Sequence, residues 1–464
     1  MNFKLEEIKE RITRDINLNT NNLVVSKEKR SIIERMKILF ERRPSVILFF
    51  IVFFIAIIST IDRQIDCVDG DRIILIEGTV LSEVKKDRYT QYRVGNCLVN
   101  DYSKKANIET GDIVKIKGKS KSLSDMKFDD FYYGRYLKST GVDIYCTMDM
   151  YEKVGISKPY QFIMKIREYI KDTNAYLYKD KSDFINSMLL GEKELMSKED
   201  KRMFSRTGVS HIIAVSGLHV GILCTLVGFL GRRVNITFNM IVVNLALFIY
   251  FYVAGGTPSI ARAVLSSVFS DICFVSDRRR DGISTLAIIA SAMIIFNPFV
   301  IYNTGFQLSF LATFSIVYFY PIINRKIKIS AASITIAANI MTLPIIVYSF
   351  EGISILSVLS NILAVPFVAF VVYIDVASLF IFRFLPFIAS IVAGLNSVII
   401  TVIYFILEKI DEIWFSYMRF TQLDFSFFVI YYIIISLGII YYEIKVVEEQ
   451  RNGLQGYYRR NETK

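Results

Sequence analysis

Histidine is nearly absent from this chain of 464 residues: it occurs only at His211 and His219, and both fall in one apolar stretch. No Asp or Glu lies in that stretch, 209–230, so the further ligands that a zinc site needs are missing there. On a helix, the spacing of the two imidazoles would place them about 80° away from a common face. The sequence therefore predicts no metal centre and no cofactor.

A cleavable signal sequence is also missing. Residues 1–43 are polar and charged, and the first apolar run, 44–61, begins only at Pro44, so we predict a retained membrane span there. Hydrophobic residues make up 53% of the chain and aromatic residues 14%, which is too apolar for a soluble protein of this size. Apolar runs long enough to cross a bilayer recur through the second half.

We therefore predict a polytopic α-helical membrane protein of the cell membrane. About ten spans are expected, at 45–61, 210–230, 236–254, 257–275, 283–297, 302–322, 330–349, 354–382, 386–409 and 425–443. The clusters of Lys and Arg in short loops then fall on one side, which the positive-inside rule assigns to the cytoplasm. Both terminal segments, 1–43 and 446–464, are predicted to be cytoplasmic, and they flank a polytopic region at 209–445.

The polar block between the first two spans, 62–150, alternates like strands rather than helices. Its runs RIILIEGTVLSE and GDIVKIKGK favour a small extracytoplasmic β-barrel of the OB type. The following segment, 151–208, has helical periodicity instead. We expect it to be an amphipathic helical segment that lies on the outer membrane surface or packs on the bundle.

OB barrels bind single strands through basic residues that contact phosphates and aromatic residues that stack on bases. The candidates for DNA contact in the outer domain are Lys85, Arg88, Tyr89, Arg93, Lys115, Lys117 and Lys119. Alternatively, the alternating lysines are only the solvated face of an outward strand. Cys97 and Cys146 lie in the same block, where an oxidising exterior would allow a disulfide between them. Two buried free thiols are the alternative.

A polar string, HIIAVSGLHVGIL, stands at the start of the predicted span 210–230. Polar groups and broken helices at membrane depth are tolerated only where they face protein or a water path. The candidates for lining a conduit are His211, Ser216, His219, Ser259, Arg262, Gln307, Ser309 and Asn361. Hydrogen bonds between helices are the alternative for the uncharged ones. Asp375, an acid well within a span, could pair with an arginine or relay protons.

Four strings occur in this order: LLGEKELMS…FSRTGVSHIIAVSGLHVGIL, YVAGGTPSIARAVLSSVF, NPFVIYNTGFQLSFLAT and LSNILAVPFVAF. Together they resemble the competence domain of the ComEC family, the membrane channel for DNA uptake. The outer block ending in KFDDFYYGRYLKSTGV is similar to that family's OB-type domain. The resemblance implies transport of single-stranded DNA through a membrane pore. It also implies an external DNA receptor and a cytoplasmic helicase or translocase as partners, besides membrane lipid.

Many members of that family also carry a C-terminal metallo-β-lactamase-like domain. Such a domain needs a histidine-rich metal site, and the residues after the last predicted span contain no histidine. We expect no catalytic residues in this chain, so that a separate nuclease would supply that activity or the chain is a truncated form.

Two other functions remain open from the residues alone. One is a secondary transporter for a smaller anion, with the broken span at 210–230 as its binding element and Asp375 as proton carrier. The other is an intramembrane hydrolase using Ser216 with His219, although no orienting acid is evident in the sequence.

Overall fold

The computed structural model describes residues 43–61, 72–128, 131–278, 280–420 and 424–462. Residues 45–435 form one compact unit, and the end of the last helix, from Ser436, belongs to a second. The first helix of the larger unit, α1, is Pro44–Ile61. It is apolar along its whole length, which fits the retained first span that the sequence predicts.

A five-stranded closed barrel follows α1. Its first four strands are β1 (Ile73–Lys85), β2 (Thr90–Val94), β3 (Cys97–Asp101) and β4 (Asp112–Lys121). A short hairpin of β5 (Lys127–Phe128) and β6 (Phe131–Tyr132) leads into helix α2 (Tyr133–Ser139), and β7 (Ile144–Ile156) completes the barrel. The strand order is β1-β2-β3-β7-β4, closed by β1 with β4. The predicted small barrel is therefore confirmed.

Alternation of side chains explains why these segments form a barrel. Along β4, Val114 and Ile116 are fully buried whereas Lys117 and Lys119 are exposed. Strands with this period of two bury one face and leave the other in water. Only β3 and β7 pair in parallel, and the other neighbours are antiparallel. Because β7 continues to Ile156, the barrel extends a few residues beyond the predicted boundary at 150.

Of the two alternatives that the sequence left open for Cys97 and Cys146, a disulfide or two buried free thiols, the structure has the second, because both cysteines are free and lie in the barrel core. In the parallel pair, Cys97 lies opposite Ile144 and Cys146 lies opposite Val99, so the two cysteines are offset along the strands. Burial raises the pKa of Cys97 to about 11 and that of Cys146 to about 12. Both therefore act as small apolar packing groups. Cys67, the other cysteine before the bundle, lies outside the described residues.

Three helices connect the barrel to the bundle: α3 (Lys158–Tyr178), α4 (Ser182–Leu190) and α5 (Lys198–Arg206). Every residue of α4 from Phe184 to Leu190 is buried, in a cluster shared with the later helices. Of the two arrangements expected for 151–208, packing on the bundle is therefore the one observed for this part of the segment.

The bundle helices are α6 (Gly217–Leu230), α7 (Ile236–Val253), α8 (Pro258–Val275), α9 (Gly282–Phe296), α10 (Thr304–Ile327), α11 (Ser330–Phe350), α12 (Ser357–Phe382), α13 (Pro386–Asp411) and α14 (Phe425–Glu462). A two-stranded pair, β8 (Gly352–Ser354) with β9 (Tyr417–Arg419), links the start of α12 to the end of α13. Within the described ranges, eight helices are long and apolar enough to cross a membrane. These are α1, α7, α8, α10, α11, α12, α13 and the Ser426–Lys445 part of α14.

The predicted ten spans need one correction. Each contains a helix, but α6 has only 14 residues and α9 only 15, so neither is of full spanning length. The segment expected to begin at 210 becomes helical only at Gly217, since residues 207–216 form turns. Gly208 begins this irregular stretch with φ of +75°, and a Cβ there would collide with Ser357. Helix α6 is therefore preceded by a stretch that requires glycine.

Five bundle helices form a closed circuit in which each contacts the next. The order is α6, α8, α10, α11 and α12, and α12 contacts α6 again. The starts of α6, α8 and α10 carry most of the polar residues that the sequence singled out.

Candidate functional site: the start of α6 and the outer face of the barrel

Ser216 and His219 close the first turn of α6. Serine is a favoured N-cap because its hydroxyl accepts a free N–H group of the first turn, and here the Leu218 N–H donates to Ser216 Oγ at 3.3 Å. The backbone N–H of Ser216 in turn donates to Nδ1 of His219 at 3.1 Å. This reciprocal box holds the helix start at the end of the irregular stretch.

The same geometry bears on the hydrolase alternative. Ser216 Oγ lies 3.2 Å from His219 Nδ1, close enough for a serine–histidine pair. A catalytic histidine also needs a group that orients its second nitrogen, but Nε2 of His219 is buried with no hydrogen-bond partner. Among the described residues, Ser216 and His219 therefore make the contacts of a helix cap and no contact that would orient a catalytic histidine.

Arg262, one turn into α8, is held by hydroxyl groups. Its Nε donates to Ser309 Oγ of α10 at 2.8 Å, and the Ser309 hydroxyl donates to Ser259 Oγ at 3.3 Å. A Cβ added to Gly217 would lie 3.3 Å from Arg262 Nη2, so the guanidinium sits directly beside the start of α6. Three helices of the circuit therefore meet at one positive charge.

Arg262 makes no ion pair with an acidic residue of the described part of the chain. An arginine within a membrane segment needs a partner or water, and it often marks a substrate pathway. The positive end of a helix dipole lies at the start of α6, where Gly217 lets the guanidinium approach the backbone. This arrangement can bind an anion such as a phosphate.

The other polar residues expected in a conduit lie in different places and not around Arg262. His211 lies in the irregular stretch before α6 with an exposed side chain. Gln307 donates to the Ile301 carbonyl at 2.7 Å, and Asn361 donates to the Ser357 carbonyl at 2.7 Å. These two amides stabilise nearby backbone and do not join the Arg262 group.

The outer face of the barrel carries a second polar feature that the sequence reading largely missed. We call it the tyrosine surface: it consists of the ring pair Tyr89 and Tyr102, with Tyr133 and Tyr145 partly buried beside that pair. The rings of Tyr89 and Tyr102 lie 5.2 Å apart, and Lys86 Nζ lies 5.1 Å from the Tyr89 ring centre. Burial raises the pKa of Tyr145 above its ordinary value. Only Tyr89 of the four could be selected beforehand, because the others come together only when the barrel closes.

The basic residues predicted for DNA contact do not form one surface. Arg88 is exposed in the turn beside Tyr89. Lys85 pairs with Glu83 at 3.6 Å, and Lys115 pairs with Glu77 at 3.5 Å. Lys117 and Lys119 are exposed on the β4 face, where Lys117 stands between Leu75 and Met150. The solvated-face alternative therefore describes β4 at least as well as DNA contact does.

Arg93 has a structural role that its sequence position does not reveal. It is half-buried, and its Nη2 donates to the Thr140 carbonyl at the end of α2 at 2.7 Å. Burial lowers the pKa of this guanidinium below its ordinary value. The side chain holds α2 against the barrel and is not open to a ligand on that edge.

Helix α2 also fastens the barrel to the bundle. Asn297, between α9 and α10, donates to the Lys138 carbonyl at 2.9 Å, and Asn303 donates to Ser139 Oγ at 3.2 Å. The Tyr302 hydroxyl lies 3.0 Å from Thr60 Oγ1 of α1. The segment that starts α10, the helix of Ser309, is thus held by the barrel and by the first span together.

Comparison with known proteins agrees with this architecture. Residues 188–445 match the family described as Competence protein. ComE operon protein 3 of Bacillus subtilis is 29% identical over 328 residues, which are 68% of this chain and 41% of that protein. Recombination protein 2 of Haemophilus influenzae is 23% identical over 207 residues, which are 40% of this chain and 26% of that protein.

The chain thus spans less than half the length of these two relatives. The family match itself extends over more than half of the chain, from α4 to α14, and includes the Ser216, Arg262 and Ser309 strings. The resemblance seen in the sequence is therefore confirmed, and this multi-pass protein with its small barrel belongs to the competence protein family.

Proposed function

We propose that this protein is a membrane channel that translocates single-stranded DNA into the cytoplasm during natural transformation. The observation that carries the proposal is Arg262, a guanidinium inside a circuit of bundle helices that is held by Ser309 rather than by a carboxylate. An arginine that no carboxylate of the described residues neutralises can exchange contacts with successive phosphates of a moving strand. Family membership supports DNA as the substrate.

A conduit for a nucleic acid differs from a binding site for a small anion. A strand presents a line of charges, so its path needs scattered cations and polar groups that bind each phosphate weakly. Arg262, Ser259, Ser309 and the exposed His211 are of this kind. In this proposal Ser216 and His219 shape the path by fixing the start of α6.

The barrel would receive the strand before it enters the bundle. Tyr89 and Tyr102 offer ring faces for bases, and Lys86 and Arg88 offer charge beside them. Stacking on aromatic rings tolerates any base sequence, which DNA uptake requires. Because Asn297 and Asn303 hold α2 beside the start of α10, the barrel lies next to the helix that carries Ser309.

The partners and orientation belong to the same proposal. An external receptor would deliver DNA, a cytoplasmic helicase or translocase would pull the strand, and a separate nuclease would degrade its complement. Both termini would be cytoplasmic, with the barrel outside the cell membrane. The protein itself would be a channel and not an enzyme.

The test is complementation of a deletion strain with labelled double-stranded DNA. Cells without the protein should still bind DNA at the surface but should place no label in the nuclease-protected cytoplasmic fraction. Expression of the full chain should restore protected, single-stranded label. Normal protected uptake in the deletion strain would contradict the proposal.

A transporter for a smaller anion remains the second candidate, because the irregular stretch 207–216 resembles the broken helices of transporter binding sites. Purified protein in vesicles distinguishes the two. Gradient-driven accumulation of labelled inorganic phosphate, together with unchanged DNA uptake in the deletion strain, would favour the transporter.

A further inference from the structure

The only acid well within a predicted span lies in a fully enclosed cluster. Asp375 of α12 has no exposed surface, and the same holds for Ser378 of α12 and Asn396 of α13. Tyr178, at the end of α3, is 2% exposed and completes the cluster. Three helices therefore meet around one carboxyl group, away from the Arg262 group.

The hydrogen bonds of this cluster leave a shortage of donors. The Asn396 amide donates to the Tyr178 hydroxyl at 3.0 Å and to the Val371 carbonyl at 3.0 Å. Ser378 donates to the carbonyl of Ile374 at 2.8 Å. Asn396 Oδ1 and both oxygens of Asp375 are buried, and no described residue lies in hydrogen-bonding geometry to them; the Tyr178 hydroxyl is the one donor that faces the carboxyl group within the described ranges. A buried acceptor left in this way costs about 1–3 kcal/mol, and a buried charge costs more.

Among the described residues, no cation neutralises the carboxyl group. Tyr178 of α3 is the one titratable side chain that faces it within the described ranges. Helix α13 contributes the uncharged Asn396, and α4, α6 and α11, which also contact α12, present no charged described residue to it. Lys181 is directed to the Ser397 carbonyl and Thr401, further along α13. The pairing with an arginine considered from the sequence is not formed.

We propose that Asp375 is a proton-binding site, in which one proton on the carboxyl group supplies the missing donor to Asn396 Oδ1 or to the Tyr178 hydroxyl. The bound proton removes the buried charge and satisfies an orphaned acceptor at once. Loss of the proton would leave an uncompensated carboxylate between α3 and the α12–α13 pair, an arrangement that proteins avoid by admitting water or separating the elements.

Proton release is thereby linked to movement of α3. This helix begins at Lys158, two residues after the last barrel strand ends at Ile156. A change in the contact of Tyr178 with α12 would therefore be transmitted to the barrel through a continuous, short connection. The site lets the membrane domain bind one proton and respond to its loss.

Infrared spectroscopy tests the site in the full chain reconstituted in lipid. At about pH 6, well above the ordinary aspartate pKa of about 3.9, the wild type should show the carbonyl band of a protonated carboxylic acid. Asp375→Asn should remove that band, whereas Glu408→Gln, on the exposed face of α13, should keep it. A spectrum that Asp375→Asn leaves unchanged, with the variant folded, would overturn the proposal.

A second variant covers the case in which Asp375→Asn fails to fold. Tyr178→Phe keeps the carboxyl group but removes the hydroxyl that faces it, so the acid band should shift in frequency. Absence of any shift in folded protein would also overturn the proposal.

The pH dependence of stability gives an independent readout. The folded protein keeps a proton that the unfolded carboxyl group releases above its ordinary range, so the equilibrium constant for unfolding should rise with pH above that range, by up to about tenfold per pH unit. Asp375→Asn should lack that contribution, and Glu408→Gln should retain it. Equal pH dependence in wild type and Asp375→Asn would contradict a proton held by this residue.

Discussion

Arg262 Nε donates to Ser309 Oγ at 2.8 Å, so the positive charge of α8 is anchored by an uncharged hydroxyl of α10. A carboxylate in that place would neutralise the guanidinium and keep it from other anions. The hydroxyl instead fixes one edge of the group, beside the first glycine of α6, and no described carboxylate compensates the charge. The partner of a side chain thus decides what that side chain is available to do.

Replacing Arg262 with alanine should reduce transformation by at least tenfold while the protein level and membrane insertion stay normal. The physical reason is the loss of the only cation at the junction of α6, α8 and α10 within the described residues. Arg262→Lys should recover part of the activity if a diffuse charge is enough, and none if the bidentate geometry of arginine is required. Arg233→Ala, in the exposed loop after α6, is the matched control. Wild-type transformation by Arg262→Ala at equal expression would contradict the assignment.

The tyrosine surface should contribute more to DNA binding than the lysines of β4 do. In lipid nanodiscs, Tyr102→Ala should weaken binding of a single strand by about 1–3 kcal/mol, the usual contribution of one stacked base. The double variant Lys117→Ala/Lys119→Ala should have a smaller effect, because these lysines lie beside Ile73, Leu75, Thr147 and Met150 in the sheet and have no stacked ring pair next to them among the described residues. Binding is measured by fluorescence anisotropy at several salt concentrations, and affinity should fall with salt as counterions are released. The reverse ranking would place the strand on β4.

Asn297→Ala should loosen the barrel from the bundle. The amide of Asn297 donates to the last turn of α2, and its removal leaves the Lys138 carbonyl without that donor. We expect a loss of about 1–3 kcal/mol in the stability of the docked barrel. Limited proteolysis at the junction of the barrel with α3, around Ser157, should then be faster than in the wild type. The control variant Asn107→Ala, on an exposed barrel loop, should be cleaved at the wild-type rate. Equal cleavage rates for the wild type and both variants would argue against docking through α2.

Cys97 and Cys146 should be unreactive in the folded protein and should both alkylate after denaturation without reductant. Their pKa values, about 11 and about 12, mean that the buried thiols keep their protons where ordinary thiols ionise. The sign of the pH effect follows: above about pH 8.5 the unfolded thiols release protons that the folded ones retain, so stability falls as pH rises. Mass spectrometry of the peptides that contain Cys97 and Cys146 measures their alkylation. A peptide in which the two cysteines are linked by a disulfide would contradict the prediction.

The purified chain should leave single- and double-stranded DNA intact in Mg²⁺, Mn²⁺ or Zn²⁺. Metal-dependent cleavage of a phosphodiester requires a cluster of ligands that holds the metal and activates water. The described residues contain no group of three or more His, Cys, Asp or Glu side chains that could hold a metal ion. Asp129 and Asp130, in the KFDD string, lie outside those residues and supply the test variants. Cleavage that co-purifies with the chain and is abolished by Asp129→Ala, Asp130→Ala or His219→Ala would make it an enzyme.

The sequence alone was enough to predict the apolar helices, the alternating strands of the barrel and the family. Each of these is a local property: hydropathy over one span, a period of two along GDIVKIKGK, or a contiguous string such as HIIAVSGLHVGIL. The start of α6 at Gly217 was harder to predict, because the residues at 212–215 are all apolar and do not reveal the turn. Hydropathy records whether a segment is apolar but not whether its backbone is helical.

Only the tertiary structure decided which residues act together. Arg262 and Ser309 are 47 positions apart, Asn396 and Tyr178 are 218 apart, and nothing in the local sequence connects them. The same is true of Arg93, which looks like a free cation in its strand and proves to be the anchor of α2. A side chain's chemistry depends on the partner that folding brings to it, and that partner is chosen by the packing of whole helices and strands against one another.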